Sequence, residues 1–108
     1  MIVCAVKRNG KSLSLRWLSD LQQADRPAFR KLLAMFHRMT EVGRIVNRTK
    51  FKKLQGDLWE FKCSHYRIGC YQDRNSWILT HGFTKKRDTW PKTELARGLR
   101  IIEEDRSR

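Results

Sequence analysis

Arg67 stands between Tyr66 and Ile68 in a stretch of alternating residues, which carries a guanidinium mid-strand where packing gives no reason for a charge. A guanidinium grips phosphate through paired N–H groups, so phosphate binding is the chemistry this position suggests. The competing reading is a solvated sheet-face arginine paired with Glu60 on the neighbouring strand. Lys85 and Lys86 directly follow the last strand-like run. A lysine works as acid or base near neutrality only where burial or nearby cations lower its pKa, and crowding with Arg67 and Lys53 could do so. The alternative is a solvated basic turn. Glu60, on the same face as Lys62, is a candidate general base. His65, in a turn, and His81, near a strand end, compete with it by virtue of their intrinsic pKa. His37 falls on the polar side of a helix and reads as surface. The histidines form no paired arrangement, and no CxxC or Cys/His ligand spacing is present, so neither metal nor cofactor is expected.

These residues need a scaffold, and alternation supplies it. From Leu58, Trp59, Phe61 and Cys63 go to one face and Leu58, Glu60 and Lys62 to the other. From Tyr66, Ile68 and Cys70 join Tyr66 on one side, with Arg67, Gly69 and Tyr71 opposite. A third strand follows through Ser76–Thr84, and breaks at Ser64-His65 and Asp73-Arg74-Asn75 suit antiparallel hairpins. Ile2 to Val6 reads as an opening strand, closed by the Asn9-Gly10 turn. Ser12 or Ser14 caps a short helix bearing Trp17, Leu18 and Leu21. Asp25 caps the next, with Pro27 in its first turn, an apolar stripe of Phe29, Leu32, Leu33, Phe36 and Met39, and Gly43 as C-cap. Pro91 opens a last helix with Leu95, Leu99 and Ile102 on one face, fraying from Glu103 onward. The expected fold is α+β: a small antiparallel sheet in β-α-α-β-β-β-α order with helices packed on it.

At 108 residues the chain is expected to form one domain, 1–108. Its formal net charge of +13, from 24 Lys+Arg against 11 Asp+Glu, favours a polyanionic partner. No apolar run approaches the roughly 20 residues that cross a bilayer, so no membrane is expected. The three cysteines, Cys4, Cys63 and Cys70, sit in apolar stretches as reduced thiols, which fits a cytoplasmic protein. Arg44, Arg48, Lys50, Lys52 and Lys53 form a basic run without any acid, read as a connection that contacts phosphates without reading sequence. Tyr71 or Trp90 could stack on a base.

Taken in order, several segments resemble the RelE/ParE superfamily of bacterial toxins, closest to its HigB-like, phage-associated branch. They are Gly10-Lys-Ser with Trp17-Leu18-x-x-Leu21, then Lys53-Leu54-x-Gly56-x-Leu58-Trp59-Glu60, then Tyr66-Arg67-Ile68 with Tyr71, and His81-Gly82-Phe83-Thr84-Lys85-Lys86 with Pro91, Glu94 and Ala96. The resemblance spans nearly the whole chain; each piece is weak and the series is more specific. It implies a RelE-like fold and a ribosome-dependent, metal-independent mRNA endonuclease that inhibits translation as the toxin of a type II toxin–antitoxin system. The alternatives are a ParE-like DNA gyrase inhibitor and a non-catalytic nucleic-acid-binding phage protein.

That resemblance also implies roles. Arg67 would neutralise charge on the scissile phosphate, and of Lys85 and Lys86 one would hold the phosphate and the other donate a proton. Glu60 is the provisional base. Arg44, Arg48, Lys50, Lys52, Lys53 and Tyr71 would contact RNA or ribosome. Where some relatives carry catalytic histidines or a terminal tyrosine, this chain has Trp90 or Lys92. The implied partners are mRNA, the ribosome and a cognate antitoxin with an acidic segment and a DNA-binding domain, joined in a higher-order complex.

Overall fold

The structure is a computed structural model, and it describes residues 1–42, 47–87 and 89–107. Its elements run β1 (Ile2–Cys4), α1 (Leu13–Ala24), α2 (Arg26–Val42), β2 (Phe51–Gln55), β3 (Leu58–Cys63), β4 (Tyr66–Asp73), β5 (Ser76–Thr84) and α3 (Lys92–Arg106). One sheet orders them β1-β5-β4-β3-β2, with β1 parallel to β5 and every other pair antiparallel.

The fold is the expected α+β class, with two differences. The sheet is mixed, because β1 returns to it from the far side of two helices. It also gains β2, inside the basic run read as a connection. Phe51 and Leu54 are the apolar residues of β2, too few for a visible alternation, yet an edge strand tolerates lysines because one side pairs with nothing. Its hairpin to β3 turns on Gly56, at φ +56°. The other hairpins turn where expected, with Ser64 at φ 55° and Arg74 at φ 57°.

Ser12 caps α1, its Oγ accepting from the Leu15 N–H at 3.3 Å. Asp25 Oδ1 accepts from Ala28 N–H at 3.2 Å and starts α2. The inward stripe of α2 is Ala28, Leu32, Phe36 and Met39, with Phe29 half-buried. Leu33 is 44% exposed instead of in the core, because it lies one residue, about 100°, past Leu32. The expected cap at Gly43 lies outside the described residues. On α3, Ile101 and Ile102 are buried, Leu95 and Leu99 half-buried. The helix does not fray at Glu103: it continues to Arg106 because Asp105 accepts hydrogen bonds from Val6 N–H and Tyr71 OH.

Helices cover both faces of the sheet. The α1 and α2 side packs Phe51, Phe61, Cys63, Ile68, Cys70, Trp77 and Leu79, and the α3 side packs Leu58, Tyr71 and Ile78. The alternation read from β3 and β4 therefore assigns both faces correctly. Close approach is set by two glycines: a Cβ on Gly82 would lie 2.2 Å from the Trp17 ring, and one on Gly98 would lie 2.9 Å from Leu58. Among the described residues no helix is long and apolar enough to cross a membrane.

Candidate functional site

Register brings the cations together. Lys52 sits opposite Glu60, Lys62 opposite Arg67, and Arg67 opposite Phe83, and directly opposed residues share a face. Lys52, Glu60, Lys62 and Arg67 thus line up across three strands on the α3 side, with Trp90 and, from α3, Leu95 beside Lys52 and Glu60. Lys85 completes the group, its N–H donating to the His65 carbonyl at 2.6 Å just past the end of β5.

Arg67 is 7% exposed and held at both ends. Its Nη1 donates to the carbonyls of Ser64 and Tyr66, each at 2.8 Å, and its Nε lies 3.3 Å from Glu60 Oε1. Among the described residues Nη2 makes no hydrogen bond, which leaves its donors for an incoming anion. A guanidinium fixed in this way spends little entropy when it binds phosphate.

Glu60 is 2% exposed, and its carboxylate is fully engaged. Besides Arg67, it accepts from Trp90 Nε1 at 3.1 Å and faces Lys52 Nζ at 3.8 Å. These partners weigh against its reading as general base, because a proton taken there would weaken the ion pairs that hold Arg67 and Lys52. Glu60 positions the cations. The bond from Trp90, itself 7% exposed, also takes that indole away from base stacking.

Lys62 is the functional candidate that the sequence reading passed over. It is half-buried in β3, and burial lowers its pKa. Glu60 pulls the other way, while Lys52, Arg67 and Lys85 push the pKa further down. A lysine made easier to deprotonate, beside a fixed guanidinium, is the arrangement that proton transfer requires. The signal was present in the sequence, since alternation already placed Lys62 with Glu60. The crowding that lowers its pKa required the hairpin register.

The remaining candidates separate. Lys85 joins the cluster, whereas Lys86 is exposed and does not bear on Lys62. Lys50 adjoins it, its carbonyl accepting from Lys62 N–H at 2.8 Å. Lys53 does not: it opposes Trp59 and so points to the other face, away from the Lys85 and Lys86 it was expected to crowd, while Lys52 bears on Lys62. Arg48 is exposed in the turn before β2, and Arg44 lies outside the described residues. Tyr71 is 0% exposed and bonded to Asp105, so it cannot stack on a base; alternation correctly gave its face but not the helix above it. Burial and the Asp105 bond push its hydroxyl well above the ordinary tyrosine range.

The histidines also sort by environment. His37 is on the surface beside Glu41, at 3.2 Å, and His65 is exposed in its turn. His81 is 2% exposed beneath α3. Burial, then Arg97, lowers its pKa to about 4, so it is neutral near pH 7. Glu94 Oε1 lies 3.3 Å from its Nε2, but neither atom has an aligned hydrogen bond, and burial outweighs the raising influence of the Glu94 backbone. Among the described residues no group of His, Cys, Asp or Glu is placed to hold a metal ion. Cys63 and Cys70 are buried free thiols, both pushed up by burial.

A groove opens from this cluster between α2 and the β2–β3 edge, with Lys50, Lys62 and Arg67 in its wall. A family model of phage derived proteins, Gp49-like, matches residues 16–103. The chain belongs to that Gp49-like family. No curated protein matches it. The matched span includes every residue of the cation cluster and both sides of the groove, and it leaves out β1.

Proposed function

We propose that this Gp49-like protein is an mRNA endonuclease acting as the toxin of a toxin–antitoxin pair, cleaving transcripts on the ribosome. The observation that carries the reading is Lys62, half-buried and lowered in pKa, beside an Arg67 clamped by Glu60 and two carbonyls. In RNA cleavage the 2′-hydroxyl gives up its proton to solvent water, its oxygen attacks phosphorus to form a 2′,3′-cyclic phosphate, and the bond to the 5′-oxygen breaks. Arg67 and Lys85 stabilise charge growing on the phosphate, and fixed donors gain most where charge develops. Lys62, protonated, gives its proton to the leaving 5′-oxygen. The ribosome orients the strand, so modest side-chain acids suffice. Lys52 and Glu60 hold the electrostatic balance of the pair.

The excess of positive charge supports a partner with an acidic segment, which under this reading is a cognate antitoxin that also carries a DNA-binding domain, in a higher-order complex in the cytoplasm. Expression of the chain alone is expected to arrest growth and create new transcript ends in translated regions, both lost with Arg67→Ala. Supercoiling blocked by the purified protein while transcripts stay intact would replace this reading with gyrase inhibition.

A further inference from the structure

The outward side of α2 carries a second stripe beside its core stripe. Lys31, Ala34, Met35, Arg38 and Val42 follow one another at helical spacing, and all five line the groove. Lys31 and Arg38 are seven residues apart, about 10 Å along the helix, on nearly the same line. The opposite wall holds Lys50, Lys62 and Arg67 together with Asn47, Thr49 and Ser64. Among the described residues lining the groove there are five cations and no acid. The carboxylate coupled to Lys31 is that of Asp25, which already accepts from Ala28 N–H and, at 2.8 Å, from Tyr66 OH.

Resting on the RNA-cleaving reading above, we propose that this groove carries the single RNA strand away from the scissile phosphate, with Lys31 and Arg38 holding two flanking phosphates. Lys62 and Arg67 belong to both the cation cluster and the groove wall, so a strand bound at the cluster continues into the groove without crossing an acidic barrier. Between the two α2 cations, Ala34 and Met35 present an apolar surface to sugars or bases. The contacts are with charge and with apolar surface, so they hold the strand without reading sequence.

The test uses the full chain and a fluorescent ten-nucleotide RNA bearing 2′-O-methyl groups, which cannot be cleaved by 2′-oxygen attack. Binding is measured across a salt series. Each phosphate contact in a single strand contributes about 0.7 to the slope of log K against log salt. Lys31→Ala/Arg38→Ala is therefore expected to flatten the slope by about 1.4. Arg30→Ala, an exposed cation on α2 off the stripe, leaves it unchanged. Both sites are at the surface, and a thermal melt confirms folding of each variant. A wild-type slope in the double variant, with weaker binding in Lys62→Ala, overturns the groove path while the RNA reading stands. If the wild-type protein shows no salt-dependent RNA binding, both fail. Unchanged RNA binding with lost affinity for a twelve-residue poly-glutamate peptide also overturns the proposal, assigning the groove to an acidic protein partner.

Discussion

Tyr71, His81 and Glu94 share the α3 side of the sheet with Glu60, Lys62 and Arg67, yet the two groups end in opposite electrostatic states. Over the first group α3 lies close, admitted by Gly98, and burial keeps His81 neutral and raises the Tyr71 hydroxyl. The second lies toward the edge of that cover, where Trp90 closes over Glu60, and among the described residues cations gather around this one carboxylate. Coverage, rather than residue type, divides the face into a structural half and a half that can meet an anion. The same logic separates two histidines and two lysines. His81 has the ring chemistry of a base but no access, and Lys53 has the charge of Lys52 but the wrong face.

The largest effect expected from breaking this division is in the open half. Arg67→Ala should lower the cleavage rate about 10²- to 10³-fold in a translation-coupled assay, the usual cost of removing one fixed donor. The fold should survive, because Glu60 keeps Trp90 and Lys52 as partners, and a melt checks it. Arg67→Lys should not restore the rate, since one ammonium cannot hold two carbonyls and Glu60 while offering a free pair of donors.

In the covered half the effect is on stability. The pKa of His81 is depressed in the folded state, so the unfolded chain binds the extra proton as pH falls. Its contribution is complete above about pH 6.5 and disappears toward pH 4, amounting to about 3 kcal/mol. Urea melts from pH 7 to pH 4 should show that loss, and His81→Gln should flatten it. A smaller change is expected from Tyr71→Phe, about 1 kcal/mol lost with the Asp105 hydrogen bond and RNA binding intact. Weaker RNA binding in that variant would return Tyr71 to the interface.

The finest test sharpens the comparison within the open half. If Lys62 acts as the acid, activity falls as pH rises through its pKa, which lies below that of an ordinary lysine. Glu60 raises that pKa and Lys52 lowers it. The alkaline limb of the cleavage profile should therefore move to lower pH in Glu60→Gln and to higher pH in Lys52→Ala. Shifts of the same sign in both variants would remove Lys62 from proton transfer.

Much of the fold was legible because alternation and capping are local. The faces of β3 and β4, the Ser12 and Asp25 caps and the hairpin turns all depend on residues a few positions apart. β2 escaped because an edge strand needs little apolar character, and it was visible only through its pairing with β3. Candidate site residues were named by type: the structure gathers Arg67, Lys85 and Glu60, and it engages the Glu60 carboxylate with Arg67, Trp90 and Lys52.

The sequence alone determined the cationic excess, the two faces of the sheet and the presence of Arg67 on the α3 side, because side-chain direction in a strand repeats every second residue. Tertiary structure alone decided which half of that face α3 would cover, and that Lys52, Lys62, Arg67 and Lys85 would meet. Those outcomes depend on register between strands distant in sequence and on how closely a helix can approach. A pKa lowered by burial and by neighbouring charge exists only once that register has formed.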